Sequence, residues 1–415
     1  EVAFKLKLLD MPAGRKDHAG PTPSIGGIAM AIGMLLTAYS ILRTDSSAFR
    51  AFTIGSVLLV ACGVLDDKID LRWYWRVMVQ SIAALVMVYV GGVQVQHLGP
   101  LFGLGDMSLG ALSVPFTVFA TVGLINAINM VDGVDGLAGL LVIAALGMEV
   151  AAAAYSGNQM VLEMGTVLLG VVSAFLVCNM RFPWQPKART FMGNGGSAFL
   201  GFAIAWMTFS LTQNPQYPVT PALALWFVPV PVVDTLVLMI RRIRAGQSPF
   251  AGDRNHIHHI MLEGGLGPSQ AALLLTGFTL ICGLGAGLAL RMDVPIPVLL
   301  ALFLGMAFAW YWLTSRRTRA ILMFAALNPM GARAMAPTPE VTPDYARGPA
   351  AGTSEGIAIL AQARAMRSDA QHDLMQHDLM QELMQHDPMR HDPMRHDPMP
   401  AARPVAASNA GSSRP

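Results

Sequence analysis

Charge is scarce in this sequence. Only 13% of its residues are Asp, Glu, Lys or Arg, and 28 basic side chains against 26 acidic ones leave a net charge of +2. A chain so close to neutral lacks the basic patch that phosphate backbones require, so no nucleic-acid partner is expected. Cysteine is equally rare. Cys62, Cys178 and Cys282 each lie within an apolar run and follow no pairing pattern, which excludes a disulfide framework and casts them as small buried hydrophobes. A signal peptide is lacking too: the opening EVAFKLKLL is far short of the ~20 apolar residues that cross a bilayer. With no initiator Met either, the chain is expected to be truncated at its N-terminus. What dominates instead is hydrophobicity. Apolar residues make up 53% of the chain and the mean hydropathy is positive, the composition of a polytopic membrane protein rather than a soluble globule.

Apolar runs near spanning length recur at 24–42, 48–65, 73–91, 112–130, 137–155, 161–179, 196–212, 220–240, 269–290 and 295–314, so an all-α bundle of ten spans is expected. Alternation sorts the connections into two sets. One set holds Arg15, Lys16, Lys68, Arg72, Arg181, Lys187, Arg189, Arg241, Arg242, Arg244, Arg254, Arg316, Arg317 and Arg319; the other has little beyond Arg43 and Arg291. By the positive-inside rule the first set is cytoplasmic. It also carries nearly every polar cluster, which places the chemistry on that face, whereas a transporter keeps its polar sites near the bilayer midplane. The membrane domain is expected over residues 1–320. From 333 to 415 the composition turns to Ala, Pro, Ser, Met and His and ends in drifting HDLM and HDPM repeats, a disordered cytoplasmic tail.

Five polar clusters interrupt the apolar pattern. In INAINMVDGVDGL, Asn126, Asn129 and Asp132 recur every three residues, which puts their oxygens near one helix face, with Asp135 just beyond. Gly133 and Gly136 loosen the backbone there enough to wrap an anionic ligand or a hydrated cation. In VLDDKIDLRWYWR, Asp66 and Asp67 end an apolar helix; adjacent carboxylates repel unless a cation or donor lies between them, and oxygen ligands suit Mg²⁺. Near the start, Lys16 and His18 within DMPAGRKDHAGPTPSIGG offer donors to phosphate. The Gly193–Ser197 turn precedes a helix and offers backbone N–H groups to an anion. Last, RRIRAGQSPFAGDRNHIHH sets Arg254 beside His256, His258 and His259. No Glu or Cys accompanies these imidazoles in a zinc pattern, so phosphate or sugar recognition is favoured. Asp234, within an apolar run, is expected to orient a basic neighbour.

The ordered set RKDHAGPTPSIGG, LDDKID, NAINMVDGVDGL, FMGNGGS and SPFAGDRNHIHH resembles the polyprenyl-phosphate N-acetylhexosamine-1-phosphate transferases over roughly residues 1–320. The HIHH form looks most like the branch that handles GlcNAc-1-phosphate. Members of that branch have eleven spans, so the resemblance implies that the first is missing here. It further implies a bacterial inner-membrane enzyme, active on the cytoplasmic face. Such an enzyme moves GlcNAc-1-phosphate from UDP-GlcNAc to undecaprenyl phosphate with release of UMP, for O-antigen or other envelope polysaccharide. Mg²⁺ is the implied cofactor, with Mn²⁺ a substitute, and a homodimer is in keeping with the family.

By motif match, Asp66, Asp67, Asp132 and Asp135 would be catalytic, with Asp66 beside the nucleophile. Asp67, Asp132 and Asn194 would hold the metal. Asn126 and Asn129 would meet the nucleotide, Arg254, His256, His258 and His259 the pyrophosphate and amino sugar, and Lys16 and His18 the lipid phosphate. The Gly-rich turn departs from the family's GDxGS by carrying Asn194 where Asp is usual. Two alternatives therefore stay open: another UDP-N-acetylhexosamine as donor, or a lipid-phosphate or UDP-sugar binding protein descended from the enzyme.

Overall fold

The computed structural model describes residues 9–10, 22–42, 46–103, 105–213, 219–248 and 255–328. Lys16, His18, Arg254 and the 333–415 tail lie outside the described residues.

A short antiparallel pair, β1 (Leu9–Asp10) with β2 (Thr22–Pro23), precedes the helices. They follow as α1 (Gly26–Thr37), α2 (Ser47–Ile69), α3 (Trp73–Tyr89), α4 (Ser113–Val131), α5 (Leu137–Ser156), α6 (Gln159–Asn179) and α7 (Gly193–Thr212). After these come α8 (Ala224–Phe227), α9 (Pro229–Arg244), α10 (Ile257–Glu263), α11 (Pro268–Arg291), α12 (Ile296–Thr314) and α13 (Arg317–Leu327). Local signals set several ends. The Ser46 hydroxyl accepts from the Phe49 N–H at the start of α2, and the Asn158 side chain accepts from Val161 N–H at the start of α6. Pro opens α9 and α11, where its missing N–H costs nothing.

Seven of these helices are long and apolar enough to cross a membrane, and an eighth crossing forms if a bent pair counts as one. The chain is a multi-pass helical membrane protein. Every expected run is helical, with three adjustments. α1 is short and passes into a π-helical turn, Ala38–Leu42, while α3 opens on Trp73, Tyr74, Trp75 and Arg76 and is apolar only further on. The 220–240 run, expected as one helix, breaks instead: Pro221–Phe227 and Pro229–Arg244 meet at 85°. Pro229 cannot donate to the preceding turn, and its ring drives Val228 out of the helical region, to φ −132.

α7 is the axis of the bundle. It packs against α1, α2, α4, α5 and α6, and 94% of its apolar window is buried. Such a helix must be apolar or small on every side, and AFLGFAIAWMTF is. Phe52 of α2 stacks on Phe202 and meets Phe199 and Trp206 edgewise. α12 is the opposite case, only 11% buried, with Leu302, Leu304, Phe308 and Trp312 turned outward as a lipid-facing helix requires.

Candidate active site

The N-terminus of α7 is drawn against its neighbours by glycine. A Cβ on Gly63 of α2 would stand 2.1 Å from the Gly195 nitrogen, and one on Gly27 would stand 2.3 Å from the Gly196 Cα. Gly193 takes φ +72, and a side chain there would run into Ser24 and Asp67. The Gly-rich turn thus serves close helix approach, which brings the ends of α1, α2, α4 and α7 to one point.

At that point the two adjacent carboxylates part company. Asp66, 4% exposed, turns inward with Gly63 and Leu59 on the same face of α2. Its Oδ1 accepts from Leu71 N–H at 2.9 Å, and its Oδ2 accepts from Arg76 Nη1 at 3.2 Å and Asn194 Nδ2 at 2.8 Å. Asp67 is exposed, where Ser24 Oγ and the Asn194 N–H each donate to it at 3.3 Å. Asn129 Nδ2 donates to Asn194 Oδ1 at 3.0 Å and to Ser197 Oγ at 2.8 Å. Asn126 donates to Gln80 Oε1 at 2.8 Å. Asp66, Arg76, Gln80, Asn126, Asn129 and Asn194 line a small open pocket together with Cys62 and Ala198.

The 132–136 turn lies beside it. Asp135 is bound by Arg181 Nε at 2.6 Å, and the Gly136 N–H donates to Asn179 Oδ1 at 2.8 Å, which pins the turn to the end of α6. Asp132 has its carboxyl pushed up to about 7 by burial and then by the negative charges of Asp135 and Asp67. Asp132, Asp135 and Asp67 therefore share one field, with Arg181 paired to Asp135. Among the described residues, no three His, Cys, Asp or Glu side chains converge as a ready-made metal group.

The histidines complete this end. Asp234 of α9 is buried and bound three ways: His256 Nδ1 at 2.8 Å, Ile257 N–H at 3.2 Å and Trp310 Nε1 of α12 at 3.1 Å. The expected basic neighbour is thus His256, held with Nδ1 toward the carboxylate. His258 stacks between His256 and His259, with centroids 5.5 and 4.3 Å away. Both its ring nitrogens are buried without a hydrogen-bond partner, and burial followed by the charges of His259 and His256 holds it neutral, well below the usual imidazole range. A Cβ on Gly133 would stand 2.7 Å from His258 Nε2, so the trio abuts the acidic turn. An orphaned buried imidazole forfeits about 1–3 kcal/mol, which a ligand hydrogen bond would recover.

Asp66, Asp67, Asn126, Asn129, Asp132, Asp135, Asn194, His256, His258 and His259 all fall at this end of the bundle. Sequence reasoning missed Arg76, Gln80 and Trp310. The first two were legible as lone polar residues four apart on one face of α3. It also missed Glu149, fully buried within α5, which accepts from the Thr208 hydroxyl. A single carboxylate in mid-span was the available signal.

Known proteins are similar to this chain. The model of glycosyl transferase family 4 matches residues 49–212. Over 286 residues the chain is 37% identical to the undecaprenyl-phosphate alpha-N-acetylglucosaminyl 1-phosphate transferase of Haemophilus influenzae, covering 68% of this chain and 79% of that protein. The proteins of the same name from Pasteurella multocida and Escherichia coli K12 are 35% and 33% identical, over 283 and 279 residues. Those matches cover 68% and 66% of this chain and 78% and 75% of the relatives.

Proposed function

This chain belongs to glycosyl transferase family 4, and from that premise we propose that it transfers GlcNAc-1-phosphate from UDP-GlcNAc to undecaprenyl phosphate, releasing UMP. The carrying observation is the juxtaposition of the acidic Asp132–Asp135 turn with a buried, neutral His258 across Gly133. Transfer between two phosphate anions asks little covalent chemistry of a protein. It asks for charge neutralisation on one side and hydrogen-bond donors on the other, held in line.

Asp67 and Asp132 fit a divalent cation, Mg²⁺ with Mn²⁺ as substitute, because Asp67 is exposed and the Asp132 carboxyl is pushed up by burial and then by the charges of Asp135 and Asp67, which a cation would relieve. The chemistry such an ion supplies when bound is neutralisation of the donor's pyrophosphate. Asn194 does not fit as a ligand in this arrangement, since its oxygen accepts from Asn129 and its nitrogen faces Asp66. We assign His256, His258, His259 and Arg254 to the pyrophosphate and amino sugar, Asn126 and Asn129 to the nucleotide, and Lys16 and His18 to the lipid phosphate. The acceptor phosphate, largely dianionic at pH 7, needs no dedicated base. The bias of basic residues among the connections supports a cytoplasmic site on the bacterial inner membrane, and the reaction we propose is the first membrane step of envelope polysaccharide synthesis.

The test is purified protein in detergent with undecaprenyl phosphate and radiolabelled UDP-GlcNAc, with and without Mg²⁺. Cation-dependent lipid labelling that disappears in Asp67→Asn is expected. Labelling from a different UDP-N-acetylhexosamine alone would change the donor, and binding without turnover of any donor would overturn the enzyme reading.

A further inference from the structure

We propose that Asn194 is a positioning residue whose neutral amide takes the place of a cation between Asp66 and Asn129, so that the buried carboxylate is held without metal at that point. The inference rests on the transferase reading for the reaction this end performs; the contacts themselves stand apart from it.

Asn194 touches both members of the acidic pair. Its side-chain nitrogen donates to Asp66 Oδ2 at 2.8 Å and its backbone N–H donates to Asp67 Oδ1 at 3.3 Å. Only one orientation of the amide satisfies its surroundings. Asp66 as a carboxylate only accepts, and Asn129 offers an N–H that it also shares with Ser197, so the nitrogen must face Asp66 and the oxygen Asn129. Two helices that end here, α2 with an acceptor and α4 with a donor, are thereby joined through one donor–acceptor group on α7. Arg76 supplies the positive charge on the same Asp66 oxygen.

An isosteric carboxylate would reverse this logic. Asp at 194 would set an oxygen against Asp66 Oδ2 at hydrogen-bond distance, and Arg76 alone cannot neutralise two charges there. A divalent cation between the two carboxylates would then be required to hold the helix ends together. In the parent no such requirement exists.

The experiment is thermal unfolding of the parent, Asn194→Asp and Asn194→Ala in detergent, in EDTA and in excess Mg²⁺, together with Asp66→Asn/Asn194→Asp. In EDTA both single variants should unfold about 5 °C below the parent, given the cost of leaving a buried charge short of a donor. Mg²⁺ should restore most of the loss in Asn194→Asp and none of it in Asn194→Ala. The double variant exchanges donor and acceptor at this contact but turns an amide nitrogen toward Arg76, so it should recover part of the loss in EDTA, and it also serves if Asn194→Asp alone does not accumulate. Asn194→Asp as stable as the parent in EDTA, or a deficit relative to the parent that Mg²⁺ closes equally in both single variants, would overturn the proposal. Because none of these arms needs turnover, absence of transferase activity with this thermal pattern intact would remove the reaction and leave the bridge.

Discussion

Two neighbouring aspartates do different things because a helix turns 100° per residue. Asp66 shares a face with Gly63 and Leu59, the face that meets α7, while Asp67 points to the opening. Asp66→Asn should therefore act chiefly through stability, since it strips a buried anion from Arg76 and Asn194. Asp67→Asn should leave the unfolding midpoint within about 2 °C while abolishing lipid labelling. Parallel thermal and turnover assays distinguish these outcomes. The motif was legible in the sequence, but which member is buried was not, because adjacency carries no phase. The Gly63–Asp66 spacing of three was the clue.

His258 gives a pH dependence of definite sign. Its folded pKa lies well below the ordinary 6.5, so below that value the unfolded chain binds a proton that the folded one refuses. The His258 contribution to stability should be flat above about pH 6.5 and fall as pH drops below it, opposite in sign to that of Asp132, whose raised carboxyl takes up a proton on folding below about pH 7. His258→Asn should flatten that slope, measured as midpoint against pH between about 5 and 8.

At the scale of elements, glycine decides how closely helices approach. Gly63→Ala would force its methyl into the Gly195 backbone, part α2 from α7 and cost several kcal/mol, on the order of 3. Gly170→Ala, on the exposed side of α6 with nothing within 4 Å, should be neutral or stabilising by a few tenths of a kcal/mol up to about 1. Denaturation of both variants in the same detergent checks the contrast. The GNGGS turn was read as an anion-binding loop because glycines before a helix permit it; only packing reveals that they are occupied by other backbones. Asp234 ties α9, α10 and α12 together, and Asp234→Asn should lower kcat/KM about 10- to 100-fold by loosening His256, with a smaller effect on folding. That carboxylate was recognisable from its place in an apolar run. Its partners were not, since Trp310 lies 76 residues away in sequence.

Across the whole molecule, hydropathy made the all-α membrane architecture readable, because backbone groups in lipid must be satisfied within each helix. The break at Val228 escaped it, since Pro is tolerated in bundles and its consequence depends on neighbours. The two ends of the bundle differ in kind. One gathers Asp66, Asn129, Asn194 and His256. The other is tied by Gln213, which accepts from Gln96 and His97 N–H at 2.8 and 3.0 Å, and by the His97–Asp106 pair at 2.7 Å. If the basic connections set orientation, the first end faces the cytoplasm. Cysteines placed at exposed Lys187, beside the acidic turn, and at exposed Ser108, at the far end, test this directly. The native Cys62, Cys178 and Cys282 are half-buried rather than buried as expected, and Cys62 lines the pocket, so all three are replaced first. A membrane-impermeant thiol reagent should then label Ser108→Cys in intact spheroplasts and Lys187→Cys only in inverted vesicles. The opposite pattern would put the site outside, where no nucleotide-sugar donor is at hand, and would remove the physical basis for transfer at this end.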